Sequence, residues 1–469
     1  MGVKLTKKDV IWSYLAQFFG IASGIFILPI ILRLLSTEEI ALNYLIGSLG
    51  SMVALFDFGF APQFGRNITY VFSGAQEIQK KGIQDVNGLG EINYNLLANM
   101  INTAKFVYLR IAIFSGIVLC TFGTWYIYSV TNGFTSVNHV IWIWIFTIIS
   151  IFLSFYFTYF DSLLIGRGLI RKAKIAGIIS KVVYISLAIS FLYMGYGLFG
   201  VAISSLCSTF VYRFISYRFF YDRDFKEKLK GIKPKPEERK ELFLKIWHNS
   251  SRLGLVFISA YAINNLSMFL AGLYLSSEEV ASYGLLIQLV GIIGVVSGTL
   301  INSYNPTFAS LRISGKSKEL MQTFSFALFV YLSLFIMGAS FLIFLGPMVL
   351  EFIGSNAVLP NAYIMMAYCL VVILENNHSN FGTLIVTKNE VPFLKSSIIA
   401  GFFVAIGDFL VLNYLSFGVL GLILVQGIVQ LAYANWKWPL LVCQEFSTSY
   451  LKILRLGYKE TILKVKLLR

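Results

Sequence analysis

The heptapeptide Leu35-Ser36-Thr37-Glu38-Glu39-Ile40-Ala41 returns 240 residues later as Leu275-Ser276-Ser277-Glu278-Glu279-Val280-Ala281. At the same offset Ala22 meets Ala262, Leu45 meets Leu285 and Leu49 meets Leu289. Each copy joins one long apolar stretch to the next across a short polar corner. Ser-x-x-Glu is the pattern of a helix-capping box, in which each side chain accepts from the other residue's backbone N–H. A capping box by itself recurs by chance. Two copies at the same place in the apolar pattern, six stretches apart, indicate an internal duplication whose halves share an orientation.

The composition identifies those stretches. Of 469 residues, 57% are hydrophobic and 13% charged, against roughly 25% charged in soluble domains. Mean hydropathy is +0.74. This excludes an ordinary cytosolic enzyme, a disordered chain and a fibrous one. About 20 apolar residues cross a bilayer as a helix. Twelve such stretches fall at 11–35, 40–63, 105–130, 139–165, 175–194, 198–217, 253–275, 280–304, 323–346, 358–386, 394–415 and 419–442. They are too long and too uniformly apolar for barrel strands. The expected fold is an all-α integral membrane protein, with twelve transmembrane helices in two parallel-repeat six-helix bundles. The basic start leads into a stretch holding Pro29 and Arg33 with no small-residue cleavage site, so it reads as a first membrane helix rather than a signal peptide.

The formal charge is +15, and position decides its meaning. Twelve basic residues lie between Arg213 and Arg252 and seven between Lys437 and Arg469. Both groups flank apolar stretches, which points to a membrane surface and not to nucleic acid. One set of alternate connections holds Lys4, Lys7 and Lys8, then Arg66, Lys80 and Lys81, then Arg167, Arg171, Lys172 and Lys174. It continues through the Arg213–Arg252 cluster, Arg312, Lys316, Lys318, Lys388 and Lys395 to the C-terminal segment. The other set, at 35–38, 131–138, 195–197, 275–278, 346–358 and 415–418, has no Lys or Arg. By the positive-inside rule both termini are cytoplasmic. The expected domains are an N-terminal bundle (1–220), a basic cytoplasmic linker (221–250), a C-terminal bundle (251–443) and a basic cytoplasmic tail (444–469). Residues 64–104 form the other long polar connection, running helically into the third span from Ile92.

No G-x-x-x-x-G-K-[ST] loop occurs, the four cysteines are scattered, and the three histidines are His139, His248 and His378. No cofactor, metal or catalytic set is expected. What remains is polarity inside spans, where a central charge costs roughly 2.5–3.5 kcal/mol and marks a candidate site. Arg33, near the outer face, either snorkels to lipid phosphates or lines a cavity. In Asp57-Phe58-Gly59-Phe60-Ala61-Pro62-Gln63-Phe64-Gly65-Arg66, Gly59 and Pro62 predict a broken helix end beside the Asp57 carboxylate. Arg66 there marks the membrane boundary or faces a site. Arg110 and Lys181 lie some five to seven residues inside the cytoplasmic ends of their spans, and either snorkel outward or enter a shared cavity. Asp161 is expected to pair with Arg167 and Arg171. The second half contributes Asn264, Asn265, Asn302 and Asn305, then Glu375-Asn376-Asn377-His378-Ser379-Asn380. There Glu375 and His378 share a helix face, and the cluster is expected to line an aqueous cavity. Asp408 lies about 20 Å along a helix from Lys395 and is therefore deep.

The runs ILPIILRLLSTEEIALNYL (27–45) and DFGFAPQFGRNI (57–68) resemble the bacterial Wzx-type flippases for lipid-linked O-antigen or capsule repeat units. These belong to the multidrug/oligosaccharidyl-lipid/polysaccharide (MOP) exporter superfamily. Relatives often carry an LG-x-E turn where this chain has Leu35-Ser36-Thr37-Glu38. The resemblance implies a MOP/MATE-like fold, a bacterial inner-membrane location and a central cavity between the bundles. It implies an undecaprenyl-diphosphate-linked oligosaccharide as substrate, with Arg33, Arg66, Arg110 and Lys181 receiving the diphosphate. Asn264, Asn265, Asn302, Asn305, Asn376 and His378 are the remaining cavity candidates. Asp57, Asp161, Glu375 and Asp408 are candidates for coupling to an H+ or Na+ gradient. Membrane lipids and other polysaccharide-assembly proteins are the expected partners. A cation-coupled drug or metabolite antiporter of the same superfamily is the alternative. An oligosaccharide polymerase or glycosyltransferase would need a long outer loop with paired carboxylates. The short outer connections hold only Glu38, Glu39, Glu278, Glu279 and Glu351, so no enzyme activity is expected.

Overall fold

A computed structural model of the chain describes residues 7–79, 91–232, 234–388 and 392–467. Lys4, Lys80, Lys81, Lys233 and Arg469 of the basic connections lie outside these. Every regular element among the described residues is helical. The chain divides into two compact units, Met1–Ile258 and Ser259–Arg469.

The first unit holds α1 (Lys7–Leu34), α2 (Thr37–Ala54), α3 (Phe60–Phe72), α4 (Tyr94–Val118), α5 (Thr124–Val130), α6 (Val140–Tyr156), α7 (Tyr159–Gly166), α8 (Ile170–Tyr193), α9 (Gly197–Phe220) and α10 (Arg223–Leu229). Helix α11 (Pro236–Asn264) runs across the division. The second unit continues with α12 (Leu266–Tyr274), α13 (Ser277–Ile313), α14 (Ser317–Ile353), α15 (Ala362–Val386), α16 (Leu394–Tyr414), α17 (Gly418–Ala432), α18 (Ala434–Glu445) and α19 (Tyr450–Leu467). Among the described residues nine helical runs are long and apolar enough to cross a membrane. The pair Gly254–Asn264 and Leu266–Tyr274, bent by 45°, makes a tenth. The other two expected positions are also helical. In α1 the apolar part narrows to Phe18–Leu34, and α15 carries the Glu375–Asn380 cluster. This is a multi-pass membrane protein.

Both repeat copies build the same corner. Ser36 and Glu39 form a complete capping box on α2, and Ser276 and Glu279 form one on α13. Each glutamate also meets the start of its unit's last span. The Leu198 N–H donates to Glu39 Oε1 at 2.8 Å beside Gly197. Glu279 Oε1 lies where a Cβ on Gly418 would stand 3.1 Å away. Both glycines have positive φ, +54° and +51°. The duplication seen in the sequence is thus a duplication of contacts.

Three polar connections are more ordered than the sequence suggested. The connection after span two opens as α3, whose Phe60, Phe64 and Ile68 are buried one turn apart. It docks on α7 through small residues. A Cβ on Gly166 would meet Ile68 and the Gly65 carbonyl, and Ser162 Oγ donates to the Ala61 carbonyl at 2.9 Å. Such residues let helix backbones approach closely. The expected linker is largely helical as α10 and the first half of α11, because Phe225, Leu242 and Ile246 are buried against Phe60, Leu97 and Phe220. The expected tail is α19, packed on α14, where a Cβ on Gly457 would collide with the Ser325 carbonyl.

Gly197→Ala should lower stability by about 1–2 kcal/mol, since alanine resists the left-handed region and would press on Glu39. Thermal melting in detergent measures this, and an unchanged midpoint would remove the corner contact from the account.

Candidate functional site

In the first unit the polar side chains gather where helices break. Between α2 and α3 the chain turns through Phe58 (φ +47°) and Gly59 (φ +75°). Asp57 repairs the break: the Ala61 N–H donates to its Oδ2 at 3.2 Å and Tyr108 Oη donates to its Oδ1 at 2.9 Å. Pro62 stands in the first turn of α3, where an N–H has no intrahelical acceptor.

The break between α6 and α7 is held from α9. Arg213 Nη1 donates to Asp161 Oδ2 at 2.9 Å and to the Phe157 carbonyl at 3.3 Å, and Nη2 to the Ser154 carbonyl at 2.9 Å. Tyr212 Oη donates to Asp161 Oδ1 at 2.6 Å. This corrects the expected partners of Asp161. Arg167 follows it by six residues, just past the end of α7, which turns it about 120° away from Asp161 around the helix axis. Arg167 bonds Asp222 Oδ2 at 2.9 Å and the Phe220 carbonyl at 2.7 Å instead. Arg171 stacks over Trp12 at 5.6 Å.

The candidate cations sit on separate helices. Arg33 is exposed near the end of α1, and Lys181 is exposed on α8. Arg66, on α3, donates from Nη2 to Gln63 Oε1 at 2.5 Å. Arg110, on α4, lies over the Phe106 ring at 3.3 Å. Among the ion pairs of the described residues, Arg66, Arg110 and Lys181 take no part.

In the second unit a buried network runs along α15. Gln426 Nε2, on α17, donates to Glu375 Oε2 at 2.8 Å and reaches Asn264 Oδ1 at 3.5 Å. One turn on, His378 Nδ1 and Asn435 Oδ1 of α18 are 2.7 Å apart. Tyr450 Oη donates to Asn377 Oδ1 at 3.0 Å. Asn264 and Asn265 mark the α11–α12 bend, and Tyr433 separates α17 from α18. The network therefore joins the middle of α15 to two further helix breaks. Asn376 faces Gly294 of α13. Asn302 is exposed on α13, and the buried Asn305 Oδ1 has no hydrogen-bond partner among the described residues. Asp408 on α16 is 0% exposed, and neither carboxylate oxygen has a hydrogen-bond partner among the described residues.

Tyr108, Tyr212, Arg213, Gln426 and Asn435 complete these groupings without having been singled out from the sequence. Gln426, inside an apolar stretch, carried a signal. Arg213 was counted with the basic cluster that runs to Arg252, although it falls inside the sixth apolar stretch and is buried on α9. Among the described residues no group of three or more His, Cys, Asp or Glu could hold a metal.

No protein-family model and no curated protein sequence matches the chain. Solved structures do match. Lipid II flippase MurJ, in an inward closed conformation, aligns with a TM-score of 0.64 at 17% identity, over 97% of this chain and 91% of that one. An inward-facing multidrug resistance MATE family transporter of the MOP superfamily aligns at 0.58 with 14% identity, over 92% of this chain and 94% of that one. Its outward-facing form aligns at 0.51 with 15% identity, over 94% of each. At such identities the likeness is one of fold.

Arg213→Ala would remove the cation from Asp161, which keeps Tyr212, and one donor from each of the Ser154 and Phe157 carbonyls, which keep the Thr158 hydroxyl and the Phe160 N–H. It should cost about 2–3 kcal/mol, below a fully buried pair because Asp161 keeps some solvent contact. Adding Asp161→Ala should recover at least about 1 kcal/mol. Strictly additive losses in melting experiments would show that the pair is not coupled.

Proposed function

We propose that this chain is a flippase of a bacterial inner membrane with both termini in the cytoplasm. It carries undecaprenyl-diphosphate-linked oligosaccharide repeat units from the cytoplasmic to the periplasmic leaflet, by alternating access, for surface polysaccharide such as O-antigen or capsule. A diphosphate with several sugars cannot cross hydrocarbon unaided, because its polar groups would go unpaired.

The observation that carries this reading is the charge balance of the first unit. Asp57 and Asp161 are engaged by Tyr108, Tyr212 and Arg213, while Arg66, Arg110 and Lys181 remain outside the described ion pairs. The surplus is positive and suits an anionic headgroup. With the inside negative, each negative charge moved outward gains about 2.3 kcal/mol per 100 mV. The fold likeness to the lipid II flippase MurJ supports the same reading. The structures it resembles are a flippase and transporters, in keeping with a protein that moves its substrate without chemistry.

Asn264, Asn265, Asn302, Asn305, Asn376 and His378 are the proposed sugar-side polar groups. Asp57, Glu375 and Asp408 are the proposed ion-coupling groups, with H+ or Na+ as the ion. Asp161, locked by Arg213, takes a structural part instead. A second reading, a cation-coupled drug antiporter, is favoured by the deep acids Glu375 and Asp408 and by the MATE likeness.

Proteoliposomes loaded with lipid-diphosphate-linked oligosaccharide should show protein-dependent exposure of sugar to an added glycosidase. At least one of Arg33→Ala, Arg66→Ala, Arg110→Ala and Lys181→Ala should slow it about tenfold, the loss of one charge-assisted contact. Transport of cationic drugs without sugar exposure would award the case to the antiporter. Asp408→Asn should keep the fold and abolish dependence on an imposed ion gradient. Transport and gradient response unchanged after Asp57, Glu375 and Asp408 are all neutralised would end the coupling assignment.

A further inference from the structure

The last helix of the second unit, α19, has two sides of opposite character. Ile453, Gly457 and Lys464 are spaced by four and seven residues and so share one side. That side meets α14. Ile453 is buried, and a Cβ on Gly457 would collide with the Ser325 carbonyl and press on Phe329. At its edge the Tyr458 ring lies 5.7 Å from that of Phe329. Lys464 Nζ lies 3.9 Å from the Phe326 ring centroid and 5.5 Å from that of Tyr304. Glu460 is the one acidic residue of α19, and its spacing from Gly457 and Lys464 puts it on this inner side as well.

The outward side carries the charge. Lys452, Arg455, Lys459 and Lys466 recur at spacings of three, four and seven residues, which aligns them in one stripe. All four are exposed, and none takes part in an ion pair of the described residues. Leu451, Tyr458 and Ile462 form a second stripe beside the first, and Leu463 lies on its other edge. These four are 66%, 54%, 36% and 54% exposed, so the cations are flanked by open apolar surface on both sides. The height of the helix follows from α14. Ser325 and Phe329, which Gly457 approaches, stand at the start of the apolar stretch 323–346, a few residues after Lys316 and Lys318. Helix α19 therefore sits where α14 passes from headgroups into hydrocarbon on the basic side.

We propose that the outward side of α19 docks the headgroups of anionic phospholipids in the leaflet on the basic side. Four aligned cations complement a negative membrane surface. The apolar side chains beside them reach below the phosphates, as in helices that lie at a membrane surface, while the long basic stems lift their charges to the headgroups. A soluble acidic protein would match the charge but would leave Leu451 and Leu463 without an apolar partner at this height. The backbone contact of Gly457 with Ser325 fixes α19 to α14, so lipid held here also sets the depth of the second unit in the bilayer. The site is independent of what the protein carries, since every contributing side chain faces outward from α19.

The test uses the full chain in phosphatidylcholine nanodiscs doped with a photoreactive phosphatidylglycerol or, in a parallel sample, a phosphatidylcholine carrying the same photoreactive group. Labelled peptides are mapped after digestion. Peptides of α19 should take up at least about fivefold more of the phosphatidylglycerol probe, the effect of one basic residue near an anionic surface. The exposed Phe402 and Phe403 of α16 should label equally with both. Raising salt from about 0.1 to 1 M shortens the Debye length from about 10 to 3 Å and should bring the two probes together on α19. Combining Lys452→Gln, Arg455→Gln, Lys459→Gln and Lys466→Gln should abolish the preference on α19 and leave labelling of α16 as it is. Lys452→Arg, Arg455→Lys, Lys459→Arg and Lys466→Arg together keep the charges and should retain the preference. Equal labelling of the parent α19 by the two probes, a preference unmoved by salt, or a four-Gln variant labelled like the parent would overturn the proposal. So would an α19 that neither probe reaches, which is the outcome expected if a protein covers this face. The parent's own ratio decides the matter should the four-Gln variant fail to fold.

Discussion

A helix crossing hydrocarbon must satisfy every backbone N–H and C=O within itself, and each interruption exposes groups that lipid cannot serve. This protein interrupts its helices repeatedly, and the interruptions organise its polar interior. The Ala61 N–H freed after the Asp57–Gly59 turn goes to Asp57. Between α6 and α7, Arg213 adds a donor to the Ser154 and Phe157 carbonyls, which also accept from the Thr158 hydroxyl and the Phe160 N–H. The α11–α12 bend sets Asn264 within reach of Gln426 and so beside Glu375. Polar side chains that are costly in a membrane are stable here because they replace the bonds that a broken helix loses.

The two units use this device with different charge. In the first, the breaks are held by carboxylates that are themselves bonded, and cations are left over. In the second, the bonds run among amides, a histidine and Glu375, and Asp408 is buried with no hydrogen-bond partner among the described residues. In the proposed function the first unit takes the anionic group and the second responds to a small cation. That division of labour is the core of the proposed function. The capping corners at Ser36 and Ser276 keep the two units alike in frame while their interiors diverge.

Ordered segments on the basic side extend this frame. Helix α10 and the start of α11 pack onto the first unit through Phe225, Leu242 and Ile246, and α19 seats Ile453 in the core of the second. Their charged residues suggest solvent-exposed connections, yet each carries enough apolar residues on one side to bury against its unit. The same packing brings Arg239 to Phe106 and Trp247 to Phe58.

The sequence by itself determined the membrane class, the helical fold, the positions of ten of the twelve expected spans, the duplication and the break at Gly59. These are signals that run along the chain: bilayer thickness sets the length of an apolar run, and a repeated corner needs only a repeated heptapeptide. It also marked Asp57, Asp161, Glu375 and Asp408, because a charge within an apolar run stands out wherever it points. Only the tertiary structure decided their partners. Arg213 is 52 residues from Asp161, Gln426 is 51 from Glu375 and Tyr108 is 51 from Asp57. Which arginine meets which carboxylate depends on the rotation of each helix about its axis and on which helices touch. Both are fixed by packing across many side chains at once, and no local spacing encodes them.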